Sequence, residues 1–95
     1  MARGMKVPKG ARLEMVKTGT IIGDNDDSNA GKPGRIELYQ GFYSDGYKSD
    51  FERTPHRWLV LTVDGVREWT FRYSGRNYDE GMRQFTDCAT AIREV

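Results

Sequence analysis

The chain has one cysteine, Cys88, and one histidine, His56. A lone thiol excludes an internal disulfide. One thiol with one imidazole also leaves no ligand spacing for a structural zinc site. This sparing use of cysteine points to a reducing compartment, so a cytoplasmic location is expected. No apolar run approaches the roughly 18 residues of a membrane span, and Met1–Lys6 lacks the apolar core of a signal peptide. An excess of either charge is also missing: 15 Lys and Arg stand against 14 Asp and Glu, a net +1. There is therefore no global electrostatic case for nucleic acid or an anionic membrane. The distribution is less even. Residues 1–17 hold Arg3, Lys6, Lys9, Arg12 and Lys17 against Glu14, a balance of +4, which leaves −3 for the remainder.

What is present is aromatic weight and turn chemistry. The 95 residues make one domain, residues 1–95, with a single core. Two Trp, four Phe and five Tyr concentrate large buried areas in few positions. The organising stretch is Arg57–Tyr73, two β-rich runs separated by Asp64-Gly65. An Asp-Gly pair suits a two-residue type I′ turn, because Gly accepts positive φ freely and Asp tolerates it. A regular hairpin on that turn sets Val63 opposite Val66, Leu61 opposite Glu68, Val60 opposite Trp69 and Trp58 opposite Phe71. Trp58, Val60, Trp69, Phe71 and Tyr73 then share one face. Arg57, Leu59, Leu61, Val63, Val66, Glu68, Thr70 and Arg72 share the other.

Upstream, Gly4, Pro8 and Gly10 with three cations make residues 1–10 a flexible basic arm. Residues 12–22 read as a strand, with Gly19 a bulge or bend. Residues 23–34 are a mobile polar loop by composition. Asp24, Asp26 and Ser28 imitate the start of a calcium loop, but Asn29 stands where Gly is needed and Arg35 where a bidentate carboxylate is needed. Gly31-Lys32 imitates a phosphate loop without its first Gly or its hydroxyl residue. Residues 35–43 and 47–53 form a second candidate hairpin around Asp45-Gly46, with Leu38 opposite Arg53. Gln40–Tyr47 does not make an RNA-recognition-motif strand, since Tyr43 is bulky where a small residue belongs and no basic residue leads it.

After residue 76 the apolar period changes to that of a helix. Tyr78, Met82, Phe85, Ala89 and Ile92 form one stripe, and Asn77 with Glu80 offers a capping box at its start. Gly81 weakens such a helix by about 1 kcal/mol relative to Ala. The composed fold is α+β: a four- to five-stranded antiparallel meander with one C-terminal helix packed on its aromatic face.

Chemistry is sparse. His56 follows Pro55 with no second group placed to make it a general base, and Cys88 lies beside the helix stripe as a small hydrophobe. No cofactor, metal or small-molecule substrate is implied, and an enzyme is not expected. Two functions fit. The first is a non-enzymatic protein-binding module, a homodimer or an inhibitor that occludes a surface of a larger protein or nucleoprotein machine. Its contact residues would be Tyr39, Tyr43, Arg57, Leu59, Leu61, Val63, Val66 and Arg72 on the second sheet face. The alternative is a single-stranded nucleic-acid binder that tracks phosphates with Lys6, Lys9, Arg12, Lys48, Arg57 and Arg72.

Overall fold

The computed structural model describes residues 7–22, 29–42 and 55–94. Five strands form one antiparallel sheet: β1 Arg12–Ile21, β2 Pro33–Phe42, β3 Pro55–Val63, β4 Val66–Ser74 and β5 Ile92–Arg93. Their spatial order is β4-β3-β2-β1-β5. The first four are a meander. A 3-10 turn at Gly75–Asn77 leads into helix α1, Tyr78–Ala89, which carries the chain back to the far edge. The expected α+β architecture is the observed one.

The Asp64-Gly65 turn forms as its chemistry dictates, with φ of 53° and 78° and Val63 opposite Val66. Beyond Thr62 the register departs from the regular hairpin. Thr62 pairs with Arg67 and Leu61 with Trp69, so Glu68 is an extra residue, a β-bulge in β4. Leu59 therefore faces Phe71, Trp58 faces Arg72 and Arg57 faces Tyr73. The physical reason lies in the pairs that the bulge avoids. A regular hairpin would set Glu68 against Leu61 and Arg57 against Arg72, like charges directly opposed.

The bulge puts Trp69, Phe71 and Tyr73 on the same side of the sheet as Leu61, Leu59 and Arg57. Leu59, Leu61 and Val63 lie on the helix side with Ile36 and Leu38. They form a core with Ile21, Phe85 and Ile92, against which Trp69, Tyr73 and Met82 pack. Each buried aliphatic contributes about 1.5–3 kcal/mol relative to exposure. Trp58 and Val60 lie on the opposite face, so the five residues expected to share one aromatic face are divided between two.

Strand β2 has both edges occupied, since Leu38 pairs with Met15 of β1 and with Leu59 of β3. That excludes the expected pairing of Leu38 with Arg53; the Asp45-Gly46 turn itself lies outside the described residues. In the loop expected over 23–34, Pro33 and Gly34 already belong to β2. The irregularity in β1 falls at Glu14, between Leu13 and Met15, and not at Gly19. A side chain on Gly19 would run into the Arg93 carbonyl of β5, so Gly there permits the fifth strand.

Helix α1 ends at Ala89, and Ile92 belongs to β5 instead of the helix stripe. Asn77 occupies the N-cap position without a side-chain capping bond. Glu80 is engaged along the helix instead, accepting from Gln84 at 2.9 Å and pairing with Arg83 at 3.2 Å. Gly81 is buried, and a Cβ there would come within 3.2 Å of Arg57 and Tyr73. The residue that costs helix propensity is the one that lets the helix sit close to β3.

Candidate functional site

Among the expected contact residues, Arg57 has the densest set of internal partners. Its Nε donates to Glu14 Oε1 at 2.9 Å and its Nη2 to Glu14 Oε2 at 3.0 Å, a bidentate pair. Its Nη1 donates to the Tyr78 carbonyl at 3.1 Å, and the guanidinium lies 4.1 Å from the Tyr78 ring centroid. The bond to Glu14 raises the Arg57 pKa above its ordinary value, against the opposing effect of burial. Arg57 thus ties the β1 bulge, β3 and the start of α1 together from a buried position on the helix side. It is neither a phosphate contact nor a rim charge, which corrects both roles expected for it. The partner strip is corrected too: Leu59 and Val63 are buried core and Leu61 packs against them.

The face away from the helix can be read row by row across β1, β2, β3 and β4. One row is Leu13, Tyr39, Trp58, Arg72; the next is Val16, Glu37, Val60, Thr70. Its centre is closed: Trp58 is 1% exposed, His56 and Thr70 are 0%, and the His56 and Trp58 rings stack at 5.9 Å. Strand β1 extends this sheet beside β2 and does not fold over the face. Tyr39 donates its hydroxyl to Glu37 at 2.6 Å, and Arg35 pairs with the same carboxylate at 3.3 Å. The bond to Glu37, then burial, raises the Tyr39 pKa.

Neither sequence candidate for covalent or acid–base chemistry sits in an activating environment. Burial, and then the charge of Arg72, lowers the His56 pKa and keeps the ring neutral. Burial raises the Cys88 pKa, which disfavours the thiolate. Cys88 lines a cavity of about 130 Å³ with Ile21, Leu61, Trp69 and Ile92, so it belongs to the core end of α1. Among the described residues no three His, Cys, Asp or Glu side chains gather as a metal site would require.

Several exposed apolar side chains lie on the rim, while Phe42 at the end of β2 is 63% exposed. Leu13 and Val16 of β1 are 46% and 44% exposed. Three positions apart, they would face opposite sides of a regular strand, and the bulge at Glu14 brings them to one side. On β4, Val66 is 66% and Phe71 38% exposed. Of the expected contacts, Val66 and Arg72 are exposed, Tyr39 is half-buried, and Tyr43 lies outside the described residues. Of the expected phosphate contacts, Lys9 and Arg12 are exposed, while Lys6 and Lys48 lie outside the described residues. Arg12 is in a helix-side row and Arg72 on the opposite face, so the structure does not gather them. Leu13, Val16 and Phe71 are among the exposed apolar residues that sequence reasoning does not single out as contacts. No local signal in the sequence marks the bulges that set where they face.

Comparison with protein-family models, curated proteins and solved structures gives no match.

Proposed function

We propose that this chain is a non-enzymatic protein-binding module that works through the rim of its sheet. The observation that carries the reading is the pair Leu13 and Val16. They are two large aliphatics exposed side by side on an outer strand next to Tyr39, with charged Arg35 and Glu37 nearby. An apolar patch with a polar border suits a protein partner. The environments of His56 and Cys88 support a non-catalytic role. The nucleic-acid reading has weaker support, because Trp58 is buried where a base would stack, Tyr39 is bonded to a carboxylate and Arg57 is engaged with Glu14.

The test compares wild type with a Leu13→Glu/Val16→Glu variant of equal melting temperature, both immobilised and exposed to host-cell extract. The reading expects defined proteins held by wild type at high salt and released by the variant. Retention that is unchanged in the variant overturns the patch. Retention that is abolished by nuclease and falls steeply with salt overturns the protein-partner reading in favour of nucleic acid.

A further inference from the structure

The outer edge of β1 already takes one short strand. β5 pairs there with Thr20 and Ile21, and the Ile22 N–H donates to the Ala91 carbonyl at 2.7 Å. Ile21 turns its own backbone the other way. Its N–H donates to the Lys32 carbonyl at 2.9 Å, and its carbonyl accepts from the Gly31 N–H at 2.7 Å. Backbone groups alternate in direction along an antiparallel strand. The N–H and C=O of Thr18 and Val16 therefore point outward, in line with those of Thr20 and Ile22. No described strand meets them, and both residues are exposed, Val16 at 44%. The other rim is closed at its middle, where Thr70 of β4 is 0% exposed. From Thr18 to Met15, and past the bulge to Leu13, the β1 edge has room for a strand of about five residues. Its two faces differ. Leu13, Val16 and Thr18 lie away from the helix, and Arg12, Met15 and Lys17 lie on the helix side. The single anion of β1, Glu14, has both oxygens on Arg57. Arg12 is exposed, and Lys17 donates to the neutral Ala89 carbonyl at 2.8 Å, a bond that leaves its charge uncompensated.

We propose that this edge binds an extended acidic peptide by strand addition, antiparallel to β1 and in line with β5. This rests on the reading of the chain as a protein-binding module and names the form and charge of the partner. Parity fixes the pattern of the docked strand. A residue opposite Val16 or Thr18 exchanges backbone bonds with it and shares its face, so these positions carry aliphatic side chains beside Leu13 and Val16. The alternate positions, opposite Lys17 and Met15 and toward Arg12, lie on the helix side and carry carboxylates. A strand with cations there meets like charge at Lys17 and Arg12.

The test is fluorescence anisotropy with dye-labelled peptides of alternating Glu and Val. The probes are the acidic peptide, its counterpart with Lys for every Glu, and two forms of the acidic peptide N-methylated at every Val or at every Glu. Wild type should bind the acidic peptide at least about tenfold more tightly than the Lys peptide. Methylation at Val removes the N–H groups that face β1 and should abolish binding. Methylation at Glu falls on the outer side and should leave most of it. Arg12→Glu, with unchanged circular dichroism, should weaken the acidic peptide and strengthen the Lys peptide. An acidic peptide that does not bind overturns the proposal, as does a Lys peptide that binds equally well or an equal loss from both methylated forms. If no peptide binds while wild type still holds an extract protein that Leu13→Glu/Val16→Glu releases, the strand proposal falls and the β1 patch stands.

Discussion

Two outer strands each carry one extra residue, and in both it is a glutamate. The bulge at Glu14 turns its carboxylate inward onto Arg57, where both oxygens are used. The bulge at Glu68 lies on β4, the strand at the other end of the sheet. The same device thus does different work: one knots β1 to β3 and the helix, and the other corrects the register of a hairpin. The difference shows that an irregularity in a strand is defined by what it realigns. The Glu14 bulge moves Leu13 and Val16 to one side. The Glu68 bulge moves Trp69 and Phe71 to the helix side, beside Leu61 and Leu59.

The largest expected effect tests the second realignment. Leu59→Asp should leave the chain unfolded at room temperature, because it removes a buried aliphatic and buries a charge, at a cost above about 4 kcal/mol. Leu59 lies under the helix beside Leu38 and opposite Phe71; a variant with native circular dichroism and melting behaviour would place Leu59 outside the core. Next is Glu14→Ala, which leaves the Arg57 guanidinium buried without its bidentate partner and should cost about 3 kcal/mol in denaturant unfolding. A loss under about 1 kcal/mol would make the two bulges equivalent.

A smaller effect comes from pH, and it also follows from the β4 register, which sets Arg72 beside Trp58. The His56 pKa in the folded chain lies below its ordinary 6.5, first through burial and then through Arg72. The unfolded chain therefore takes the proton first. The stability that His56 contributes is complete above pH 6.5 and declines as pH falls below it, by up to about 1.4 kcal/mol per unit. Melts at pH 7.5 and 5.5 (about two units spanning that value) should show this loss in wild type and less of it in Arg72→Gln; equal losses would separate Arg72 from His56. The smallest effect is Glu68→Ala, expected to change monomer stability by no more than about 0.5 kcal/mol. A loss comparable to that of Glu14→Ala would place Glu68 in an internal role.

Much of the fold was legible because its signals are local. Asp64-Gly65 states its own turn, Tyr78 to Ala89 shows a helical period, and Arg12 to Ile21 shows β-branched content. The faces were not legible, because a single inserted residue inverts them and neither Glu14 nor Glu68 looks unlike an ordinary strand-surface glutamate. Leu59, Leu61 and Val63 share one side of β3, as the sequence implies, but that side faces the helix. The Arg57–Glu14 pair spans 43 positions, a separation at which sequence carries no pairwise signal.

The strand can be compared to a reading frame. After the two-residue turn, odd positions of β3 would meet even positions of β4. Glu68 is the single added letter that brings odd back onto odd, so that Leu61, Leu59 and Arg57 meet Trp69, Phe71 and Tyr73. Deleting Glu68 would preserve every one of those pairings, and Thr62 would still meet Arg67. Deleting Thr70 instead would throw all downstream positions out of frame. Along this chain, tolerance to lost residues should peak at position 68 within β4, a pattern that a deletion scan would reveal without any knowledge of the partner.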